Sequence, residues 1–319
     1  GGLIGHGVFF SLFAGKWLPQ QQTWLKQLAQ ICEWYKFQHI TEHFGFMTGS
    51  DFHHGAPLSI PYTKSTLAIG RDRLMRIQDA CKCPVGLENL AFSFSLDEVK
   101  KHGEFLNELV EPINGFLILD LHNTYCQLHN FSVAFDDLIK CYPLHRVREI
   151  HVSGGSWEPA VTAPNARVRR DTHDESVPDE VFQLLQQVMP LCPNLKYVVL
   201  EQLGNGLKTE ESRQLFYNDF LSLEKMVKTY NETHVLRIQE NFLPLIKTPV
   251  PEVVVEDEAL YQQQLLLSQV LELSPSLEIL MQRLHTSTLA YSDWNIESWT
   301  PYMLETARSI ACKWKKQQS

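Results

Sequence analysis

A chain of 319 residues that is 44% hydrophobic can bury one large core, or a core with an appendage. Its 28 Lys and Arg stand against 37 Asp and Glu, and a formal net charge of -9 argues against a nucleic-acid partner held by its phosphates. No stretch approaches the unbroken apolar length of a transmembrane helix, so no membrane partner is expected.

The seven cysteines lie at 32, 81, 83, 126, 141, 192 and 312. Cys81-Lys82-Cys83 lacks the spacing of a redox or zinc C-x-x-C pair, and reduced thiols in a cytoplasmic setting are expected. The apolar opening "GGLIGHGVFFSLFAG" has no basic segment before it and is interrupted by His6, so it does not read as a signal peptide. No initiating Met is present, and residue 1 is not expected to be the natural start.

In chain order, short apolar segments at 3–8, 39–46, 84–90, 116–123, 148–154 and 196–201 alternate with helical stretches near 21–36, 64–80, 96–110, 134–140, 179–189 and 209–230. The apolar period near 3.6 is clear in "TLAIGRDRLMRIQDA". Such alternation predicts a parallel sheet covered by helices. Beyond about 251 the pattern changes to helices near 256–272, 275–286 and 297–316. The predicted organisation is a barrel-like region over 1–250 and a helical extension over 251–319. That extension is read as a cap packed on the barrel, with a docking module for a peptide or partner as the alternative.

The segment "GFLILDLHNTY" begins as a buried strand and then offers Asp120 and His122, which on a strand share the face of Ile118. The other segments end likewise: His6, His43, Glu88, His151 and Glu201. Asp171 and His173 follow in "RRDTHDE", and His53 and His54 follow the second segment. A single such histidine is as a rule a hydrogen-bonded structural residue, and a single carboxylate caps the next helix. Six in a row are harder to explain that way, because parallel strands point their C-terminal ends to one face. So many acids and imidazoles need a counter-charge, and nitrogen and oxygen donors without thiolate suit iron, manganese or zinc. The donors exceed what one ion accepts, so two or three ions are expected. Glu42 and Glu149 are expected to face away from the pocket, toward basic residues under the helices. His102, His129, His145, His234 and His285 are read as surface groups.

Taken together, "HGVFFSL", "TEHFGF", "LENLAF", "LDLHNTYCQLHNF", "REIHVSGGSWEP" and "DTHDESVPD" resemble the ordered signatures of the multinuclear non-heme iron-dependent oxidases, the family of the methanobactin-biosynthesis oxidase. The resemblance runs from about 3 to 205. It implies an α/β fold, a TIM-type (β/α)8 barrel whose first two βα units are lacking in this chain. It implies two or three Fe2+/Fe3+ ions, O2 as oxidant, a cysteine-containing peptide substrate and a partner protein that binds the peptide leader. Carried over, the metal ligands are His6, His43, Glu88, Asp120, His151, Asp171, His173 and Glu201, with His122 where many members have Asn. Glu88 would bridge two irons. Glu88, Asp120 and His122 are the catalytic candidates, and His54, Asn123 and Arg170 the substrate-orienting ones. Many members also have His where this chain has Gly155. Two other readings stay open: a zinc or manganese isomerase or hydrolase of the xylose isomerase-like barrels, and a non-catalytic metal-binding scaffold.

Overall fold

Apolar runs too short for helices and bounded by turn residues become the strands of one parallel sheet. The computed structural model describes every residue except 1, 8–9, 48–56, 161–165, 235–239, 245–248 and 315–319, and omits the side chains of 205, 313 and 314. Six strands lie side by side in chain order: β1 (Leu3–His6), β2 (Phe37–His43), β3 (Val85–Glu88), β4 (Phe116–Asp120), β5 (Val147–Val152) and β6 (Tyr197–Leu200). Every neighbouring pair is parallel. These are six consecutive strand–helix units of TIM-type architecture, and among the described residues β1 and β6 are the edges of the sheet.

Alternation along the strands separates two environments. Leu117, Leu119, Ile150 and Val152 join the main core beneath the helices, whereas Phe116 and Ile118 form a small separate cluster with Phe242 on the other face. That second face is the interior side, and it carries Asp120 as the next residue in the period. The helices are α1 (Pro19–Trp34), α2 (Lys64–Cys81), α3 (Leu96–Val110), α4 (Leu121–Phe131), α5 (Phe135–Ile139), α6 (Asp179–Val188) and α7 (Glu210–Thr233). Their starts follow ordinary capping chemistry. Thr63 accepts from Thr66 N–H at 3.1 Å, and Ser95 accepts from Glu98 N–H at 3.3 Å.

One segment departs from the sequence reading. Residues 116–123 are not a single strand: β4 ends at Asp120, whose Oδ1 accepts the Asn123 N–H at 2.6 Å and so starts α4. His122 therefore sits on the first turn of a helix and not on the strand face it was expected to share with Asp120. His102, read as a surface group, is buried in α3, and its Nε2 accepts the Leu90 N–H at 3.1 Å.

The C-terminal helices α8 (Glu258–Leu273), α9 (Leu277–His285) and α10 (Pro301–Trp314) share the main core with the sheet and its helices. Gln264 donates to Phe13 O at 2.7 Å and accepts the Gly15 N–H at 2.9 Å. Trp299 stacks on Phe94 with ring centroids 3.8 Å apart. Arg73, paired with Asp72 and lying over the Trp17 ring, donates to Val255 O at 3.0 Å and ties the approach to α8 onto α2. No helix among the described residues is long and apolar enough to cross a membrane.

Burial pushes the His102 imidazole down to about 3 from its usual 6.5. The folded protein thus holds it neutral, while the unfolded chain takes up a proton once pH drops below about 6.5. Stability associated with this group is complete above that value and is lost as pH falls toward 3, at about 1.4 kcal/mol per pH unit. His102→Gln keeps an acceptor for the Leu90 N–H but cannot titrate. The unfolding free energy from urea titrations should fall less between pH 7 and pH 5 in this variant than in the wild type, by about 2 kcal/mol. Equal acid slopes would remove His102 as the cause.

Candidate metal centre

Register brings the strand-end donors together. His43 is the lateral partner of Glu88, and Asp120 is the lateral partner of His151. Glu88 is buried, and its two oxygens serve different neighbours. Oε2 lies 3.1 Å from both His6 Nε2 and His43 Nε2, and Oε1 lies 3.4 Å from His151 Nδ1. The contacts then run on without a break. His151 Nδ1 is 3.1 Å from Glu201 Oε1, Glu201 Oε2 is 3.4 Å from His173 Nε2, and that nitrogen is 3.3 Å from Asp171 Oδ1. Asp171 Oδ1 in turn is 3.1 Å from His122 Nδ1. Two sets of donor atoms each converge within 4.8 Å: His6, Glu88 and His151, and Glu88, Asp120, His151 and Glu201.

The outer atoms of the rings are held by the protein. His6 Nδ1 pairs with Thr41 Oγ1 at 2.8 Å, and that hydroxyl donates to Gly5 O at 3.2 Å. His43 Nδ1 donates to Gly7 O at 2.9 Å. Asp120 has two duties: its Oδ1 caps α4, and the residue belongs to the convergent set, with Oδ2 buried and completing no hydrogen bond among the described residues. Asn123 is buried and donates through Nδ2 to Asn89 O at 2.8 Å, so it braces the Asp120 turn. Arg170 is paired with Glu158 at 2.6 Å. His53 and His54 lie outside the described residues.

His122 meets its neighbours on both sides of the ring: its Nε2 accepts from Arg169 Nε–H at 3.0 Å, and its Nδ1 faces Asp171 Oδ1 at 3.1 Å. It joins the chain of donors through Asp171. His173 has a φ of 49°, the left-handed region that few side chains adopt, and its carbonyl is held by the Leu203 N–H at 2.9 Å.

Two interior residues escaped the sequence reading. Glu149 was expected to face away, yet it stands two residues before His151 on the same side of β5. It accepts from His151 Nε2 at 2.7 Å and lies 2.6 Å from His39 Nε2. His39 is wholly buried, four residues before His43 on the same face of β2. The readable signal was the strand period itself, counted back from the ends. Glu42 does point to the opposite face, packed where a side chain on Gly7 would need to go. No basic residue pairs with it among the described residues, and burial pushes its carboxyl well above the usual range.

The electrostatics are those of crowded donors. Burial opposes ionisation of Glu88, but His43, His151 and His6 outweigh it and hold the carboxyl well below the usual range. Burial, together with Glu88, Asp171 and Glu201, drives Asp120 well above it. For His151 burial disfavours the charge, yet Glu149, Glu201 and Glu88 prevail and the imidazole is raised well above its usual value. Glu88 Oε2, Asp120 Oδ2, His151 Nδ1 and His173 Nε2 are all buried, and none completes a hydrogen bond among the described residues. Native proteins rarely leave such atoms in that state.

Residues 2–211 match the model of the RiPP precursor modification enzymes MbnB/TglH/ChrH. Among curated relatives, the UPF0276 protein RB0508 of Rhizobium meliloti (strain 1021) is 24% identical over 188 residues, covering 59% of this chain and 60% of that protein. The UPF0276 protein AM1_3026 of Acaryochloris marina (strain MBIC 11017) is 29% identical over 188 residues, covering 58% and 64%. The chain thus spans about three-fifths of the length of these relatives. A xylose isomerase domain containing protein from Salmonella typhimurium LT2 superimposes with a TM-score of 0.47 at 12% identity, covering 71% of this chain and 76% of its own. Ordered strand-end donors and a family match that spans all six strands lead to one conclusion: the chain belongs to the MbnB/TglH/ChrH family of RiPP precursor modification enzymes.

Proposed function

We propose that the protein is an iron-dependent oxidase that uses O2 to modify cysteine residues of a peptide. The observation that carries this reading is the convergence of Glu88, Asp120 and His151, each with a buried donor atom that completes no hydrogen bond among the described residues. These are nitrogen and oxygen donors without thiolate, which fits a redox-active iron better than a structural zinc site. One ion would be held by His6, His43 and Glu88, a second by Glu88, Asp120, His151 and Glu201, with Glu88 bridging. Iron bound there would supply the open positions for a substrate thiolate and for O2, and the changes of oxidation state that the reaction needs.

The chain's own residues prepare the place. Thr41 and Gly7 take the outer nitrogens of His6 and His43, which turns their Nε2 atoms toward Glu88. Glu149 takes His151 Nε2, so Nδ1 is the atom presented to the site. Carboxylates that take the far nitrogen of a ligating histidine fix its orientation and raise its basicity. The peptide would reach the donors from the C-terminal ends of the strands, where sites of α/β barrels lie. A partner that binds its leader and a reducing cytoplasm, which keeps a substrate thiol free, belong to the same reading; all seven cysteines of this chain are likewise unpaired.

Protein prepared without oxygen from iron-supplemented cells should carry more than one iron per chain, with an absorption spectrum that changes on admission of air. Zinc or manganese with no response to air would instead favour an isomerase or hydrolase. Glu88→Ala should lose most of the metal while its far-UV circular dichroism stays unchanged, and full occupancy in that variant would refute the bridging role. Glu149→Gln should keep the fold but weaken metal retention 10–100-fold, as loss of such a supporting carboxylate typically does. A competition titration with a chelator measures this, and an unchanged affinity would show that Glu149 does not orient His151.

A further inference from the structure

We propose that Cys81 and Cys83 form a thiol–disulfide exchange site at the start of β3, at which a small disulfide oxidises the pair to a bridge within the chain. The inference does not depend on the metal reading, because the pair lies at the opposite end of the strand from the donors. Cys81 closes α2, Cys83 stands two residues before Val85, and Glu88 is at the far end of the same strand.

A C-x-C pair lacks the spacing of a helical redox motif, and here the backbone supplies what the spacing does not. Lys82 adopts a φ of 56°, in the left-handed region, and donates its N–H to Gln78 O at 2.9 Å, which ends α2. The chain therefore turns back between the two cysteines. Cys81 Sγ comes to 3.6 Å from Cys83 O, and the two thiols hydrogen-bond to each other. Residues two apart in a bent chain keep their Cα atoms within about 7 Å, the range that a disulfide spans.

The two sulfurs are not equivalent. Cys81 is buried, whereas Cys83 is only half-buried. The hydrogen bond from Cys81 brings the Cys83 thiol below its usual value, and the Arg148 guanidinium adds to this against the cost of burial. The same hydrogen bond, together with burial, pushes Cys81 far up. Arg148 is itself buried near the start of β5, and its Nε completes no hydrogen bond among the described residues. A cation with a donor to spare favours a thiolate in its field. Cys32, in the last turn of α1, also senses Cys83, but burial pushes its thiol up to about 11 and keeps it protonated.

The exchange needs only these two residues and the small disulfide. The Cys83 thiolate attacks one sulfur of that disulfide, the S–S bond breaks, and one thiolate leaves. Cys81 then attacks the Cys83 sulfur, and the second small thiolate leaves with the proton that Cys81 gives up. Two cysteine sulfurs are oxidised and the two sulfurs of the small disulfide are reduced.

The full chain, kept reduced and then desalted, should be treated with 2-hydroxyethyl disulfide, its remaining thiols blocked with N-ethylmaleimide, and its peptides mapped by mass spectrometry. Trypsin cuts after Lys82, so a Cys81–Cys83 bridge should appear as two peptides that stay joined until reduced. In Cys81→Ser, a mixed disulfide should instead accumulate at Cys83, ahead of the equally half-buried Cys32 and Cys141. Exposed Cys312 should react in every sample and serves as the internal control. A bridge from Cys83 to Cys32, a mixed disulfide that persists at Cys83 in the wild type, or reaction confined to Cys312 would each overturn the proposal. If Cys81→Ser does not fold, the wild-type map decides alone. None of these readouts involves bound iron, so failure here and failure of the oxidase reading are separate results.

Discussion

Everything in this molecule depends on the register of a parallel sheet. Because His43 stands beside Glu88 and Asp120 beside His151, donors from separate strands arrive at one level. A slip of one residue in any strand would turn its donor to the opposite face, since the side-chain period is two. The covering helices, the caps that start them and the apolar core behind the sheet hold that register. They are where the stability resides. The site itself is a liability in this respect, because buried ion pairs recover little more than their desolvation cost.

The interior is therefore layered. At the strand ends lie the convergent carboxylates and imidazoles. One step down, Glu149 joins His39 to His151. Below them Phe116 and Phe242 meet with ring centroids 5.7 Å apart and close the stack with apolar surface, and Phe116 lies 4.8 Å from the His39 ring. The guanidinium of buried Arg148 lies 5.6 Å from both ring centroids, so a cation rests against the two rings at this level. An imidazole held from behind can present only its other nitrogen forward, which is how a flexible donor becomes a directional one.

Much of this is legible in the order of the residues alone. Short apolar segments ending in His, Asp or Glu correspond to the six strands, and the helical tail follows where the pattern changes at about 251. What is not legible has a physical pattern of its own. Helix α4 is buried along most of its length, and its polar side chains find partners that periodicity cannot reveal. Gln127 donates to Leu90 O at 2.6 Å and Thr124 to Asp120 O at 2.9 Å. His39 and Glu149 lie one layer below the strand ends, where a pattern of terminal residues does not reach. The engagement of His122 by Arg169 joins residues 47 positions apart, across a hairpin ribbon whose pairing no local pattern discloses.

Asp120 gives the two halves of the architecture a common hinge of charge. One oxygen holds the first turn of α4 while the other is buried without a hydrogen bond among the described residues, so the carboxylate cannot change its ionisation or its partner without the helix feeling it. A helix that begins on a donor atom shares an equilibrium with whatever that donor holds. In the language of linkage, the state of the Asp120 carboxylate and order at the start of α4 are two readings of one free energy, and neither can be altered while the other is left alone.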